Sequence, residues 1–127
     1  MTPEERAAIS RGIAEAEAGT TGRIAVRVVP DVRVDAFERA KHEFEEIGLH
    51  RYRHANAALI LVAPKARRFA VLGDRALHER VGDAFWNDVA EHSGAYFARG
   101  ELREGILYAV GRIGAAFHDH FAEATSS

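Results

Sequence analysis

The stretch that decides the fold is NAALILVAPKARRFAVLGD, residues 56–74. Residues 56–63 are almost wholly apolar, which is typical of a central strand that is covered on both faces. The short Pro64-Lys65 connection leads into a second strand-like run at residues 67–72. Because strands joined so closely pair in opposite directions, this stretch predicts an antiparallel hairpin.

The residues before the hairpin predict a strand and a helix. Residues 23–30 (RIAVRVVP) place Ile24, Val26 and Val28 on one face of a strand, with Arg27 on the other. Asp35 and Glu38 have the spacing of a capping box at the start of a helix. The apolar stripe of that helix is Phe37, Ala40, Phe44 and Ile47. A strand, a helix and a strand in succession predict a parallel crossover.

Further helices are predicted at both ends of the chain. Thr2 and Glu5 form a capping box for the first helix, and a short helix over residues 76–80 precedes a longer one that Gly100 ends. The last helix directs these residues toward the core: Leu102, Ile106, Ala109, Val110, Ile113 and Phe117. Since the central strand has no polar face, helices must cover both sides. The sequence therefore predicts an α/β fold, a three-layer α/β/α sandwich with a small mixed, mainly parallel β-sheet.

The composition indicates a globular protein and excludes several classes of function. The 127 residues carry a formal net charge of −2 and a pI of about 6.4, so the electrostatic argument for nucleic-acid binding is missing. The absence of cysteine excludes disulfides, thiolate metal sites and cysteine nucleophiles. No apolar run approaches the roughly 20 residues that span a bilayer, and the acidic first residues are unlike a secretory signal. We expect a cytoplasmic protein without direct membrane insertion, with one domain over residues 1–123 and a disordered tail at 124–127.

Histidines and carboxylates suggest one candidate site. His50, His54 and His78 fall in loops or at helix starts that we expect near one end of the sheet, where ligands bind in open α/β sheets. With Asp74 and Asp83 they could form a nitrogen and oxygen site suited to zinc or another transition ion. The alternative is that they are solvated loop histidines.

Basic and aromatic side chains suggest two further surfaces. Arg51, Arg53, Arg67 and Arg68 could form a basic patch that binds an anion, or they could protect a strand edge from mispairing. Trp86 is expected in the core, whereas a partly exposed Trp86 would indicate a partner surface.

Several segments together resemble a known family. They are EAEAGTTG at 15–22, the hairpin at 56–63 and 67–74, VGDAFW at 81–86, FARG at 97–100, and Gly105-Ile106. This combination resembles the TPM-domain family, named for a thylakoid-lumen phosphatase, a photosystem II repair protein and a receptor modulator. The chain looks like its short, soluble bacterial type. The resemblance implies an α/β/α sandwich and, in some members, a calcium or similar ion in an acidic cleft, with phosphatase activity ascribed to plant members.

The acidic cleft of the family is only partly matched. Where the family has Asp-Asn-Gly before the central strand, this chain has Ala55-Asn56-Ala57, so the aspartate is missing. His78 stands near the position of a family glutamate, and Arg23 follows the Thr-Gly entry where the family has an acidic residue. Carried over onto this chain, the metal ligands would be Asn56, Asp74, His78 and Asp83. The anion-binding residues, taken from the basic patch, would be Arg53 and Arg67. The ion would be calcium, magnesium or zinc.

The sequence thus predicts a non-catalytic TPM-like accessory or interaction domain with an eroded metal cleft. Its partner would be a protein, for example a membrane-anchored relative of the same family, and not a nucleic acid. One alternative is a divalent-metal-dependent, phosphatase-like hydrolase. Another is a domain that binds a metal ion or an anion without turnover.

Overall fold

The computed structural model describes residues 1–30 and 35–123. Its elements are helix α1 (Pro3–Glu17), strand β1 (Arg23–Val28), helix α2 (Ala36–Glu46), a 3-10 turn (Leu49–Arg51), strands β2 (Ala57–Ala63) and β3 (Arg68–Gly73), and helices α3 (Arg75–Ala98) and α4 (Leu102–His120). The predicted order of helices and strands is confirmed. The tail at 124–127, predicted to be disordered, lies outside the described residues.

The sheet has the order β1-β2-β3 within the described residues. β1 and β2 are parallel, and β2 and β3 are antiparallel, so the sheet is mixed with one pair of each kind. Every residue of β2 is buried, as its unbroken apolar run predicts. The alternate side chains of β2 enter two separate cores, which confirms the three-layer α/β/α sandwich. Helix α2 covers one face of the sheet, and α1, α3 and α4 cover the other.

The predicted apolar stripe of α2 is partly wrong. Phe37 is 45% exposed and Ile47 is 36% exposed, whereas Glu43 is only 6% exposed. The buried face of the helix is Ala36, Ala40, Glu43 and Phe44, a spacing of four, three and one. Because each residue turns a helix by about 100°, Phe37 is rotated off the face that Ala36 defines. The sequence pattern favoured Phe37 because it is apolar, but the small Ala36 makes the contact.

Glu43 is buried because two arginines neutralise its charge. Arg27 Nη2 lies 3.2 Å from Glu43 Oε2, and Arg39 Nη2 lies 3.0 Å from Glu43 Oε1. Arg27 belongs to β1 and Arg39 to α2, so this carboxylate ties the helix to the edge of the sheet.

We expect Glu43→Gln to lower the free energy of unfolding by about 1 kcal/mol, because both ion pairs are lost while the volume is kept. The two arginines are partly exposed and can be hydrated, which limits the cost. Urea denaturation of Glu43→Gln beside Glu45→Gln, an exposed site on the same helix, measures the difference. Equal losses in the two variants would contradict the structural role of Glu43.

The capping box predicted for α1 is confirmed, whereas only the Asp35 half of the capping box predicted for α2 is observed. Thr2 and Glu5 make both bonds of the capping box on α1. Asp35 caps α2 by accepting from the backbone N–H groups of Phe37 and Glu38. The Glu38 carboxylate lies 2.9 Å from Lys41 Nζ.

Candidate functional site

The sheet has two ends with different side chains. The entry end is formed by Thr21, Asn56 and Asp74, which precede β1 and β2 and follow β3. The exit end is formed by Pro64 and Arg67, which follow β2 and precede β3. The histidine and aspartate residues predicted as a site lie at the entry end. Ligands of parallel sheets usually bind at the carboxyl ends of the strands, which for β1 and β2 is the exit end. The expectation that the predicted group lies at the usual ligand-binding end is therefore wrong.

Asn56 is used to join the two parallel strands. Its side chain is fully buried, and Nδ2 donates to Thr21 Oγ1 at 2.9 Å, just before β1. Its Oδ1 is buried and makes no hydrogen bond with the described protein atoms. A neighbouring Tyr52 hydroxyl donates to the carbonyl of Thr21 at 2.6 Å, which fixes the same turn from the other side.

Asp74 acts as the cap of α3. Its Oδ1 accepts from the N–H of Arg75 at 2.8 Å, and its own N–H donates to the carbonyl of Ala57 at 2.9 Å. The carboxylate therefore accepts from an N–H group that has no partner within the helix, and its negative charge interacts favourably with the positive end of the helix dipole.

His78, Trp86 and Asp83 form one connected group beside Asp74. Trp86 Nε1 donates to His78 Nδ1 at 3.1 Å, and His78 Nε2 lies 3.4 Å from Asp83 Oδ1. Because an indole N–H can only donate, Nδ1 is the acceptor, and a neutral ring carries its proton on Nε2, which faces Asp83. Gly82 lies between His78 and Asp83 and has a φ of 77°, so α3 is broken at this residue. The sequence predicts the end of one helix and the start of another close to this position.

The four residues predicted as metal ligands are thus engaged in three separate contacts. Asn56 bonds to Thr21, Asp74 caps α3, and His78 lies beside Asp83 and Trp86. Within residues 1–30 and 35–123, no three histidine, aspartate or glutamate side chains are grouped so that they could hold a metal ion. His54 also lies at the entry end, in edge contact with Tyr52 at 5.2 Å.

The two arginines predicted to bind an anion lie at opposite ends of the sheet. Arg53 precedes β2 and Arg67 follows it. β2 has 7 residues, so at about 3.3 Å per residue the two ends lie roughly 20 Å apart. The prediction of one basic patch that contains both Arg53 and Arg67 is therefore wrong, because strand β2 runs the length of the sheet between them. At the exit end, Arg67 and Arg68 lie near Arg99 instead.

An open strand edge lies beside the His78 group. Since the N–H of Asp74 donates to Ala57 across the hairpin, strand alternation directs the backbone groups of Phe69, Val71 and Gly73 away from β2. No hydrogen bonds to these groups are present within the described residues. A groove of about 330 Å³, here called the edge groove, follows this edge between Phe37 of α2 and Trp86 of α3.

Trp86 is held tightly against the strand at this groove. A Cβ atom on Gly73 would lie 2.2 Å from Trp86 Cζ2, so only glycine allows the indole to approach so closely. Trp86 is half-buried, and Phe85 packs edge-on against it at 5.0 Å. The expectation of Trp86 in the core is met on one side of the ring only, and its other side lines the groove.

A second charged group, which the sequence pattern did not reveal, joins α3 to α4. Asp88 accepts a hydrogen bond from Arg112, whose Nη1 also donates to the Tyr108 hydroxyl at 3.0 Å. His92 Nδ1 lies 3.2 Å from Asp88 Oδ1, and its ring stacks on Tyr108 at 5.3 Å. These residues come from two helices, so no spacing along one helix would have found the group.

The Arg112 hydrogen bond holds the pKa of Asp88 below its ordinary value, and the same bond raises the pKa of Arg112. The stabilisation from Asp88 is therefore complete above the pKa of an unfolded aspartate, about 3.9, and is lost as the pH falls through the lower folded-state pKa. We expect Asp88→Asn to lower the melting temperature at pH 7, and the difference from the wild type to shrink in acid. Melts of both proteins from pH 7 to pH 2, with Glu91→Gln as the exposed control on α3, test this sign. A difference that grew in acid would contradict it.

The fold and these contacts define a small α/β/α sandwich protein in which, among residues 1–30 and 35–123, no strand pairs with the outer edge of β3. Residues 1–116 match the model of the TPM domain. The chain belongs to the TPM-domain family, as the segments quoted above predict. Within the described residues, no helix combines the length and the apolar character needed to cross a membrane.

Solved structures support the same fold. The BA42 protein of the psychrophilic bacterium Bizionia argentinensis, solved by NMR, has a TM-score of 0.87 at 29% identity, over 96% of this chain and 84% of that chain. The N-terminal domain of cg2496 from Corynebacterium glutamicum has a TM-score of 0.75 at 12% identity, over 100% and 80%. The N-terminal domain of a P. gingivalis protein has a TM-score of 0.81 at 12% identity, over 99% and 83%. At 12% identity, these two show the fold alone. No curated protein matches this chain.

Proposed function

We propose that this chain is a non-catalytic interaction domain that works in the cytoplasm and binds an extended segment of a partner protein along the open edge of β3. The observation that carries the proposal is the edge groove, where outward backbone groups of β3 lie between Phe37 and Trp86. An added strand would bond to those groups, and its alternate side chains would contact the two rings.

The surroundings of the groove indicate the chemistry of the partner segment. Val71, Leu72 and the two aromatic rings offer apolar contacts in the middle of the groove. Arg68 precedes the exposed strand edge and Arg75 follows it, and both are exposed. A segment with apolar side chains at its centre and acidic ones at its ends would match this pattern.

The entry-end residues favour binding over catalysis because each has a structural contact of its own. The Asp74 carboxylate caps α3, and His78 Nδ1 accepts from Trp86. A general base must be within reach of a substrate proton, and here Nδ1 of His78 accepts from the indole while Nε2 faces Asp83.

Site-specific crosslinking tests the proposal in the cell that makes the protein. A photoreactive side chain at Phe37 should attach to one extended partner segment, whereas the same group at Ala14, exposed on α1, should not. Asn87→Lys, at an exposed residue that lines the groove, should abolish the adduct. Glu91→Lys, one turn further along α3, should leave it. Trp86 is the only tryptophan, so its emission should shift when the crosslinked segment is added as a peptide. Adducts that are equal at both positions, or that survive Asn87→Lys, would refute binding at this edge.

A divalent-metal site is a second candidate, and one geometric observation favours it. His78 Nε2 and Asp83 Oδ1 lie 3.4 Å apart on the lining of the groove, so a rotation of either side chain could bring both onto one ion. The same site would underlie the hydrolase alternative, with the ion as Lewis acid.

Thermal melts of metal-stripped protein test this second candidate. Calcium, magnesium, manganese or zinc at about a hundred times its dissociation constant should add roughly 2.7 kcal/mol to the stability. The shift should disappear in Asp83→Asn and persist in Asp119→Asn, a matched exposed site on α4. No shift with any of the four ions would remove both the metal site and the hydrolase.

A further inference from the structure

A cavity of about 460 Å³ lies at the exit end of the sheet, opposite the four residues predicted as metal ligands. Its walls are apolar and come from β2, the hairpin turn, α3 and α4: Val62, Pro64, Phe97 and Leu102. Its rim carries Arg67, Arg68 and Arg99. The volume is within the range of small-molecule sites, and the position, beyond the carboxyl end of a parallel strand, is where α/β sheets bind ligands.

The aromatic wall of this cavity is fixed by its neighbours. The Phe97 ring packs edge-on against Phe69 with 4.6 Å between the ring centres. On its other side, a Cβ atom on Gly105 would lie 2.5 Å from Phe97 Cε1, so glycine is what leaves room for the ring. A wall held from two sides does not have to be ordered by a ligand, which lowers the entropic cost of binding.

The rim is positively charged. Arg67 and Arg68 are exposed, and neither has a carboxylate within ion-pair distance among residues 1–30 and 35–123. Arg99 Nη2 lies 3.0 Å from Glu101 Oε2, so that guanidinium is already neutralised in part. Arg67 and Arg68 therefore carry most of the positive charge of the rim, and guanidinium groups bind a carboxylate through two parallel hydrogen bonds.

Arg67 keeps its place at the rim in an unfavourable backbone conformation. Its φ is 53°, in the left-handed region that asparagine and glycine adopt at lower cost than arginine. Its N–H closes the hairpin turn on the carbonyl of Pro64 at 3.1 Å. A charged side chain at a strained position beside a cavity points to a use for the charge.

We propose that this exit-end cavity binds a small amphipathic carboxylate, with the apolar group against Phe97 and Leu102 and the carboxylate against Arg67 and Arg68. The cavity and the edge groove share no lining residue, although Arg68 contributes charge to both proposals, and either proposal can fail without the other. An aliphatic or an aromatic acid would present the same chemistry, and two probes distinguish these sources.

Backbone NMR of the 14.0 kDa protein tests the proposal directly. Octanoate and 3-phenylpropanoate are the probes, and octan-1-ol and acetate lack the charge and the apolar group respectively. We expect saturable shifts at Arg67, Arg68 and Leu102 with at least one probe, and affinity at least about tenfold weaker for both controls, which is 1.4 kcal/mol. The stronger of the two probes identifies the apolar group. Octan-1-ol binding as tightly as octanoate, or shifts confined to other parts of the protein, would overturn the proposal.

Two variants separate the charge from the fold. Arg67→Asn introduces a residue that adopts a positive φ at lower cost than arginine, so the melting temperature should stay the same or rise. Because the guanidinium group is lost, octanoate should bind about five- to tenfold more weakly. Arg68→Gln should weaken binding similarly, and Arg80→Gln, exposed on α3 and outside the cavity, should not. Unchanged octanoate affinity in both rim variants would refute a role for the arginines.

Discussion

Replacing Phe117 by alanine is expected to lower the free energy of unfolding by about 3–5 kcal/mol, enough to unfold much of a marginally stable domain. Phe117 is fully buried near the end of α4, in the core shared by α1, α3, α4 and the sheet. Removing its ring would leave a cavity beneath β1, because the surrounding helices are joined by their own contacts and can collapse only in part.

Guanidinium chloride denaturation of Phe117→Ala beside His118→Ala measures this effect. His118 is the next residue on α4 and is exposed, so its substitution should change stability by less than about 0.5 kcal/mol. A loss below about 1 kcal/mol in Phe117→Ala would mean that the ring is not the centre of this core.

Replacing Gly22 by alanine is expected to destabilise the protein by about 3 kcal/mol, because the added methyl group overpacks the core rather than leaving a cavity. A Cβ atom at residue 22 would lie 2.3 Å from Phe117 Cδ2 and 2.4 Å from Cε2 and Cγ. The ring is fully buried and cannot move aside, so β1 or α4 must shift.

A rescue and a control make the second prediction specific. Gly22→Ala combined with Phe117→Ala should cost less than the sum of the two single changes, because alanine at residue 117 has none of the three ring atoms in conflict. Gly111→Ala on the exposed side of α4 meets nothing within 4 Å, and it should stabilise the helix by about 0.5–1 kcal/mol. Strict additivity in the double variant would contradict the contact between residues 22 and 117.

Much of the fold could be predicted because its signals are local or lie in one strand. The apolar run of β2 requires burial on both faces, and the short Pro64 connection requires an antiparallel partner. Thr2 and Asp35 mark helix starts through hydrogen bonds to residues two or three positions away. The break in α3 at Gly82 lies two residues beyond the predicted end of the short helix at residue 80.

The candidate sites could be predicted only as lists of residues. Which side chains meet depends on strand direction and on the rotation of each helix about its axis. Arg53 and Arg67 are 14 positions apart in the sequence and lie at opposite ends of the sheet because an entire buried strand lies between them. Phe37 looked like a core residue, yet the small Ala36 beside it takes the contact and leaves Phe37 at the edge groove.

The sequence by itself determined the elements, their order, the buried central strand and the membership of the TPM-domain family. Tertiary structure alone decided that Trp86 covers Gly73 and bonds to His78, and that Phe97 joins three arginines around a cavity. The physical reason is the distance along the chain over which each kind of signal acts. Periodicity and capping act within a few residues, whereas a groove or a cavity is the space left between elements that are distant in the chain and packed by their own apolar faces.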